Sequence, residues 1–425
     1  MRILDLLSQK GKTITIFTSG NFLVAVIGGI SALLYGGWIN PDELGEFQKF
    51  SIVTGYLCFG IIFVDAAFQR HFPYYLGKNN EKKAIEIASY AKWWYLALVY
   101  FGSFVFLVLS IYSYINDNNR SSFGWLIQIP IYVVATYGLY LKILYRSNDD
   151  FLKLNNNNLI TAFSGFISLP FVYFFKFWGL CVRTTIQNMV NIYTHVKNSP
   201  YKIKAKFSKE GLVGLFKVSL PIQVPVYFDT HLLNATINLF IFRYLGEESL
   251  GVYVMASMLQ GFLLVFSGSI NQIFTTKIML NYGEHDCIRK TFLYIIKPTL
   301  LVTILGIIIV IITYLLSEPI VSFVLPNYIK SIPVFQILAI ELVFSLIRSP
   351  FTLFISSLMY KEMIILRIAK TVVTLFLIFF FHENLIQMVT ILIGVSGGNV
   401  IFGYIILFYK INKINKINKI NKNEN

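Results

Sequence analysis

Long apolar stretches separated by short polar turns dominate the sequence from residue 14 to residue 409. A helix that crosses a bilayer needs about 20 mostly apolar residues. The stretches are continuous rather than alternating, which favours membrane-spanning helices over the strands of a β-barrel. We predict twelve spans, at residues 14–37, 49–69, 93–112, 123–145, 158–175, 178–195, 213–241, 251–276, 292–316, 332–358, 363–381 and 385–409.

Composition and charge support a polytopic membrane protein. Hydrophobic residues make up 56% of the chain and charged residues 13%, which is too little charge to cover a soluble protein of 425 residues. If the N-terminus is cytoplasmic, 28 of the 36 Lys and Arg residues fall on the cytoplasmic side and five on the outer side. This asymmetry follows the positive-inside rule and predicts that both termini are cytoplasmic. The net charge of +15 is therefore assigned to the membrane surface, and no nucleic-acid partner is predicted.

A short motif occurs twice along the chain, 206 residues apart. Leu44-Gly45-x-Phe47 corresponds to Leu250-Gly251-x-Tyr253, and Asp65 corresponds to Asn271. Six helices per half is an even number, so the two halves have the same orientation and form a parallel repeat about an axis along the membrane normal. The predicted fold is all-α, with two six-helix halves.

The predicted domain organisation follows from this repeat. It consists of an N-terminal six-helix half (1–196), a basic cytoplasmic linker (197–211), a C-terminal six-helix half (212–410) and a Lys/Asn-rich cytoplasmic tail (411–425). The tail repeats the tripeptide Ile-Asn-Lys. It is predicted to be either a helix or disordered, and a repeat without a role is the preferred interpretation.

Three predicted spans carry polar side chains on one helical face, which lipid does not tolerate. On span seven these are Gln223, Tyr227, Thr230, His231, Asn234 and Asn238. On span ten they are Glu341, Ser345, Arg348, Thr352 and Ser356, and on span six Arg183, Gln187, Asn191 and Thr194. We predict that these faces border a hydrated cavity. The candidate substrate-binding residues are Arg348, Glu341, Ser345, Thr352, Arg183, Gln187, Gln223, Tyr227, Asn234 and Asn238.

Several of these residues also have a purely structural interpretation. Asp229, on the opposite face of span seven, is a candidate for ion coupling or for pairing between packed helices. His231 is a candidate proton relay or a neutral, hydrogen-bonded histidine, and the second is favoured. Glu341 and Arg348 are about 10 Å apart along a helix axis, so they are expected to share a face without touching. Asp65 lies about one turn from the inner surface and is expected to reach water.

Motifs for enzymatic chemistry are absent from the sequence. There is no nucleotide-binding P-loop, no HExxH zinc motif and no paired CxxC motif. The outer loops are too short for a catalytic domain, so we predict that the protein is not an enzyme. An intramembrane O-acyltransferase remains an alternative, with His231 as its essential histidine. No bound cofactor is predicted, and Asp229 and His231 are candidates for coupling to a proton or sodium gradient.

Four segments resemble those of a known transporter group. They are PDELGEFQKFSIV (41–53), GKNNEKKA (77–84), SLPIQVPVYFDTHLLNATINLFIFRYLGEESLGVYVMA (219–256) and FVLPNYIKSIPVFQILAIELVFSLIRSPF (323–351). The chain resembles Wzx-type O-antigen and polysaccharide flippases of the multidrug/oligosaccharidyl-lipid/polysaccharide exporter superfamily. Twelve spans resemble the O-antigen branch, whereas lipid II flippases usually have fourteen.

This resemblance implies a function and a location. The protein would move a polyprenyl-diphosphate-linked oligosaccharide across the bacterial inner (cytoplasmic) membrane by alternating access. Arg348 and Arg183 would attract the diphosphate or acidic sugars, while Gln223, Tyr227, Asn234 and Asn238 would bind the glycan. Partners would be the lipid bilayer, a polysaccharide polymerase and a chain-length regulator. A drug or cation antiporter of the same superfamily remains an alternative.

Overall fold

A computed structural model describes the backbone of residues 2–285, 287–357 and 359–423. The side chains described are those of residues 20–271, 274, 275, 277, 278, 281, 282, 287–354, 357, 359 and 361–412, so those of the tail from residue 413 onward lie outside them. The described backbone forms helices and no β-strand, which confirms the predicted all-α fold.

Sixteen α-helices are present in the described residues. They are α1 (Arg2–Trp38), α2 (Pro41–Leu57), α3 (Asp65–Gly77), α4 (Glu81–Ile115), α5 (Asn119–Ser147), α6 (Phe151–Ile167), α7 (Leu169–Lys197), α8 (Lys209–Tyr227), α9 (Leu233–Phe240), α10 (Gly246–His285), α11 (Ile288–Val324), α12 (Ser331–Ala339), α13 (Glu341–Ile347), α14 (Thr352–Ser356), α15 (Tyr360–Phe380) and α16 (Leu385–Asn423). Short 3₁₀ segments occupy Cys58–Phe63, Pro326–Tyr328 and Ser349–Phe351, and π-helical segments occupy Phe228–Leu232 and Ile241–Leu245.

The protein is a multi-pass membrane protein. Within the described residues, seven helices are long and apolar enough to cross a bilayer, or nine if each of two bent helix pairs is one span. One continuous run, Lys209–Asn271, contains predicted span seven and most of span eight, and the shorter apolar segment Ser331–Ile347 overlaps predicted span ten. Each of the twelve predicted spans therefore coincides with helical structure. The cytoplasmic placement of the termini remains a prediction.

Three predicted spans differ from the structure in their ends or their continuity. Span two is interrupted by the 3₁₀ segment Cys58–Phe63 and by a 43° bend before α3. Span five ends at Ile167 instead of residue 175, with a 73° bend before α7. Pro170 lies in the first turn of α7, where a missing backbone N–H is tolerated and the preceding residues are steered out of a helix. Span ten is not one helix, because α12, α13 and α14 are separated by breaks at Ile340 and at Ser349–Phe351.

The chain packs as two compact units. The first contains Met1–Phe242 and Gly246–Gly251, and the second contains Arg243–Leu245 and Val252–Asn425. Helices α8 and α9 thus belong to the first unit, where α8 packs on α3 and α9 packs on α2. The division of the sequence at the linker describes the repeat and stays a prediction.

Aromatic side chains fill the core of the first unit. Tyr95, Tyr132, Tyr140 and Phe68 are almost completely buried, and the rings of Phe68 and Tyr140 stack at 5.1 Å. Helices α4 and α5 pack along much of their length. Gly102 of α4 lies against the ring of Tyr132, so the absence of a side chain there makes room for the ring.

The basic linker is held against the first unit by its backbone and its apolar residues. Lys92 Nζ of α4 donates a hydrogen bond to the Ile203 carbonyl oxygen at 2.6 Å, and Ile203 is buried. Lys202, Lys204 and Lys206 are exposed, and Ile203 is the buried residue between the first two. The lysines of this non-helical segment therefore face away from the unit that anchors it.

The repeated motif forms a contact with itself inside the first unit. A side chain at Gly45 would meet the carbonyl oxygen of Glu247, and a side chain at Gly251 would meet that of Pro41. Pro41 and Glu247 are themselves 206 residues apart, so the two contacts are reciprocal, as in a local two-fold arrangement. Lys49 Nζ also pairs with Glu247 Oε1 at 2.6 Å. The two helix starts are thus joined by close backbone approach and by an ion pair.

Candidate functional site

Part of the predicted polar face of span seven is exposed on the first unit. Thr230, His231 and Asn234 are exposed, and Asn238 is half-buried. His231 stacks on the ring of Tyr227 with centroids 5.8 Å apart. Because these polar groups lie in a run long and apolar enough to span a bilayer, their exposure requires water or a polar ligand beside them.

The local helix geometry shifts this face from the one that an ideal helix predicts. Pro221 and Pro225 lie inside α8, and the π-helical segment Phe228–Leu232 begins three residues after Pro225. A π-helical turn contains more residues than an α-helical turn, and such turns are frequent at functional sites. Asp229 is half-buried in the same segment.

Two residues of the predicted face are instead engaged within the first unit. The Tyr227 hydroxyl is buried and donates to the Tyr56 carbonyl oxygen at 3.1 Å. Gln223 Nε2 donates to Asp65 Oδ2 at 3.1 Å. In this conformation both residues hold α8 on its neighbours, and their role in glycan binding remains a prediction.

Asp65 does not reach water as expected, because the side chain is only 2% exposed. Its Oδ1 accepts a hydrogen bond from the Tyr95 hydroxyl at 2.7 Å. Its Oδ2 accepts hydrogen bonds from Gln69 Nε2 at 2.8 Å and from Gln223 Nε2 at 3.1 Å. The carboxylate therefore joins α3, α4 and α8. The prediction for Asp65 used only its distance along the sequence from the membrane edge. That distance does not indicate which helices cover the residue.

Arg183 of span six is buried among α1, α6 and α7. Its Nε donates to the Gly165 carbonyl oxygen at 2.9 Å, and its guanidinium lies 5.0 Å from the centre of the Tyr35 ring. Gln187 is half-buried close to Gly165. Among the described residues Arg183 forms no ion pair. Its positive charge is thus held beside a carbonyl and an aromatic face.

Glu341 and Arg348 in the second unit form an ion pair, which contradicts the expectation that they do not touch. Ser396 of α16 donates to the second carboxylate oxygen, Glu341 Oε2, at 2.6 Å. The axial rise separates the backbones, but two long side chains on one face can reach across two turns. The pair is 17% exposed at Glu341 and 23% exposed at Arg348, so it is neither fully buried nor fully solvated.

The remaining polar residues of span ten join it to α10. The Ser345 hydroxyl donates to Ser267 Oγ at 3.1 Å, and Asn271 Nδ2 donates to the Ser345 carbonyl oxygen at 3.3 Å. Ser349 donates to Asn271 Oδ1, and the hydroxyls of Thr352 and Thr275 are 3.3 Å apart. Asn271 is central to this network. Its match to Asp65 across the repeat was the only signal in the sequence that could have identified it.

Comparison with solved structures shows which fold these residues belong to. An inward-facing multidrug resistance MATE family transporter of the MOP superfamily is similar, with a TM-score of 0.69 and 15% identity over 92% of this chain and 96% of that chain. The outward-facing form has a TM-score of 0.68 and 14% identity, over 95% and 96% of the two chains. The lipid II flippase MurJ in an inward closed conformation has a TM-score of 0.67 and 15% identity, over 94% and 87%.

These neighbours are transporters and a flippase, in agreement with the prediction that the protein is not an enzyme. Comparison with curated proteins finds no match. The family described as polysaccharide biosynthesis protein matches residues 76–325. Family match and shared fold together confirm the resemblance to the exporter superfamily. Since the match covers more than half of the 425 residues, the chain belongs to this family of polysaccharide biosynthesis proteins.

Proposed function

We propose that the protein is a flippase that moves a polyprenyl-diphosphate-linked oligosaccharide across the bacterial cytoplasmic membrane by alternating access. The observation that carries this proposal is the exposed polar face of Thr230, His231 and Asn234 within a membrane-spanning run. Membership of a polysaccharide biosynthesis family and the fold shared with a lipid II flippase support the substrate class.

The physical problem is the transfer of a hydroxyl-rich glycan through hydrocarbon. Burying a hydroxyl without a hydrogen-bond partner costs about 2–7 kcal/mol, so a glycan with many hydroxyls needs a polar path. Asn234 and Asn238 offer amide donors and acceptors along one such path. The polyprenyl chain remains in the lipid, where it needs no such partners.

The charged residues have separate roles in this proposal. Arg348 carries a positive charge that is partly exposed and balanced by Glu341, and it attracts the diphosphate. Arg183 acts in the same way on the first unit once the neighbouring helices move, because it is buried in the present conformation. A proton or sodium gradient drives the cycle, with Asp229 and His231 as candidates for coupling.

Complementation of a deletion strain tests the function. Without the protein, lipid-linked repeat units should accumulate on the cytoplasmic face and surface glycan should be lost, and the wild-type gene should restore both. Asn234→Leu should restore little glycan at normal expression, whereas Leu239→Met, a control at an exposed apolar position of the same helix, should restore it fully. Full restoration by Asn234→Leu together with Asn238→Leu would exclude the polar path.

A drug or cation antiporter is a second candidate, because the MATE structures are as similar as the flippase structure. The two functions predict different phenotypes. An antiporter gene should lower drug sensitivity in a pump-deficient strain and leave surface glycan unchanged. A flippase gene should do the reverse.

A further inference from the structure

The Asp65 carboxylate is a buried charge held only by neutral donors. Every hydrogen bond described for it is donated to it, by Tyr95, Gln69 and Gln223. Among the described residues it forms no ion pair. Neutral donors stabilise a carboxylate but leave its charge in place, so a proton is the ligand that removes the cost of burying that charge.

We propose that Asp65 is a proton-binding site that controls how α8 is attached to α3. A proton from water adds to Oδ2 and forms an O–H bond with one of its lone pairs, which leaves a neutral carboxylic acid. That oxygen now presents a hydrogen toward the amide hydrogens of Gln69 and Gln223. The bond from Gln223 of α8 is then lost.

The groups around Asp65 favour proton exchange from one side. Gln69 is exposed, so the carboxyl is one side chain away from the exterior. On the opposite side Tyr95 is fully buried, and Tyr140 of α5 has a buried hydroxyl without a hydrogen-bond partner. The rings of Tyr95 and Tyr140 are 5.8 Å apart. With the proton on Oδ2, Oδ1 remains the acceptor for the Tyr95 hydroxyl, so this buried side of the site keeps its hydrogen bond.

Among the charged and titratable groups on the helices packed around this site, Asp65 is the one whose protonation changes in the proposal. On α4 the facing group is Tyr95, and on α5 they are Tyr140 and Arg146, whose positive charge attracts the carboxylate. Helix α8 presents neutral Gln223 and Ser219. On α3 itself, Arg70 is exposed and His71 is half-buried beyond Gln69.

The position of Asp65 makes its charge mechanically relevant. It is the first residue of α3, directly after the 43° bend that breaks the span from Pro41 to Gly77. Two bonds link this point to α8: one from Gln223 to Asp65, and one from the Ala66 backbone N–H to Ser219 Oγ at 3.1 Å. Only the first depends on ionisation. Protonation thus loosens α8, which carries the polar face, without detaching it.

Coupling of this site to transport rests on the proposed function, whereas proton binding and helix movement do not. Infrared difference spectroscopy between mildly alkaline and mildly acidic pH, on the full chain in lipid nanodiscs, measures the carbonyl stretch of protonated carboxyls. Asp65→Asn should remove one band, and Asp42→Asn, at an exposed aspartate, should retain it. Persistence of the whole band in Asp65→Asn would overturn the proposal.

Helix movement is measured by the distance between spin labels at Lys82 of α4 and Lys209 of α8, both exposed, after replacement of the three cysteines. The wild-type distance distribution should change with pH, and Asp65→Asn should show the acidic distribution at both pH values. If Asp65→Asn does not fold, Gln223→Met gives the answer. It should keep the carboxyl band and lose the pH-dependent change in distance. A pH-dependent distance that survives in either variant contradicts the proposal, and neither measurement uses a glycan substrate.

Discussion

Replacing Gly45 with alanine should push α2 away from the start of α10. The new methyl group would overlap the carbonyl oxygen of Glu247, which is backbone and cannot rotate away. Small residues at such contacts allow two helix backbones to approach closely, and a methyl group removes that freedom. The Lys49–Glu247 ion pair at 2.6 Å lies at the same contact and would be stretched with it.

The size of the effect follows from two opposing terms. Alanine in place of glycine favours a helix by up to about 1 kcal/mol. Overpacking costs typically about 1–3 kcal/mol, and here the clash is with backbone rather than with the end of a flexible side chain. At Gly214 in α8 a methyl group would meet no atom within 4 Å, so Gly214→Ala has only the first term. The two variants therefore differ by the overpacking cost alone.

Thermal unfolding in one detergent at one scan rate measures this difference. Gly45→Ala should melt below the wild type, and Gly214→Ala should melt at or above it. Combining Gly45→Ala with Gly251→Ala should cost less than the sum of the single variants, since one separation of the helices relieves both clashes. Equal melting of Gly45→Ala and Gly214→Ala would refute the close backbone contact.

Three further predictions follow from single contacts. Arg348→Ala should destabilise the protein by about 1–3 kcal/mol, since it leaves Glu341 with the Ser396 hydroxyl as its described partner. In a denaturation assay, the Glu341→Gln/Arg348→Ala double variant should lose less stability than the sum of the two single variants. Additive losses would contradict the ion pair. Tyr95→Phe should lower the free energy of unfolding by about 1.5–3 kcal/mol, because it removes a hydrogen bond to a charged group. Tyr100→Phe, at an exposed position, should change it very little. Equal melting temperatures of the two variants would contradict the hydrogen bond. Lys92→Met should release the linker and speed its proteolytic cleavage within residues 198–208. Lys82→Met, at an exposed position, should leave the cleavage rate unchanged. A Lys92→Met protein that is cleaved at the wild-type rate would show that Lys92 does not hold the linker.

The approximate positions of the spans could be predicted because they depend on local apolar length. The breaks within the spans depend both on local residue types such as proline and on the packing of neighbouring helices. Pro170 was a readable signal for the end of α6, since the residues before a proline are disfavoured in a helix. The break at Val64 follows a 3₁₀ segment whose only punctuating residue is Gly60, and it lies where α3 meets α4 and α8.

The candidate site was predicted less well, because helical faces were assigned on an ideal geometry. The π-helical segment Phe228–Leu232 shifts the register of span seven, so Gln223 and Tyr227 turn toward the first unit while Asn234 stays exposed. The second reason is that the prediction did not take side-chain length into account. An axial distance of about 10 Å excludes contact between backbones but not between the ends of Glu341 and Arg348.

The predicted repeat relates two of the hydrogen-bond networks, the one around Asp65 and the one around Asn271. Asp65 and Asn271 correspond in the predicted repeat, 206 residues apart, and each is the centre of a hydrogen-bond network within its own unit. Asn271 both donates and accepts, so its network is satisfied without a charge. Asp65 only accepts while ionised, and it must exchange a bond when it gains a proton. The two residues matched by the predicted repeat therefore differ where a proton would act, and this difference limits the proposed pH dependence to the first unit. Exchanging the residues, as Asp65→Asn with Asn271→Asp, should transfer the titrating carboxyl to the second unit and abolish the pH-dependent distance between α4 and α8.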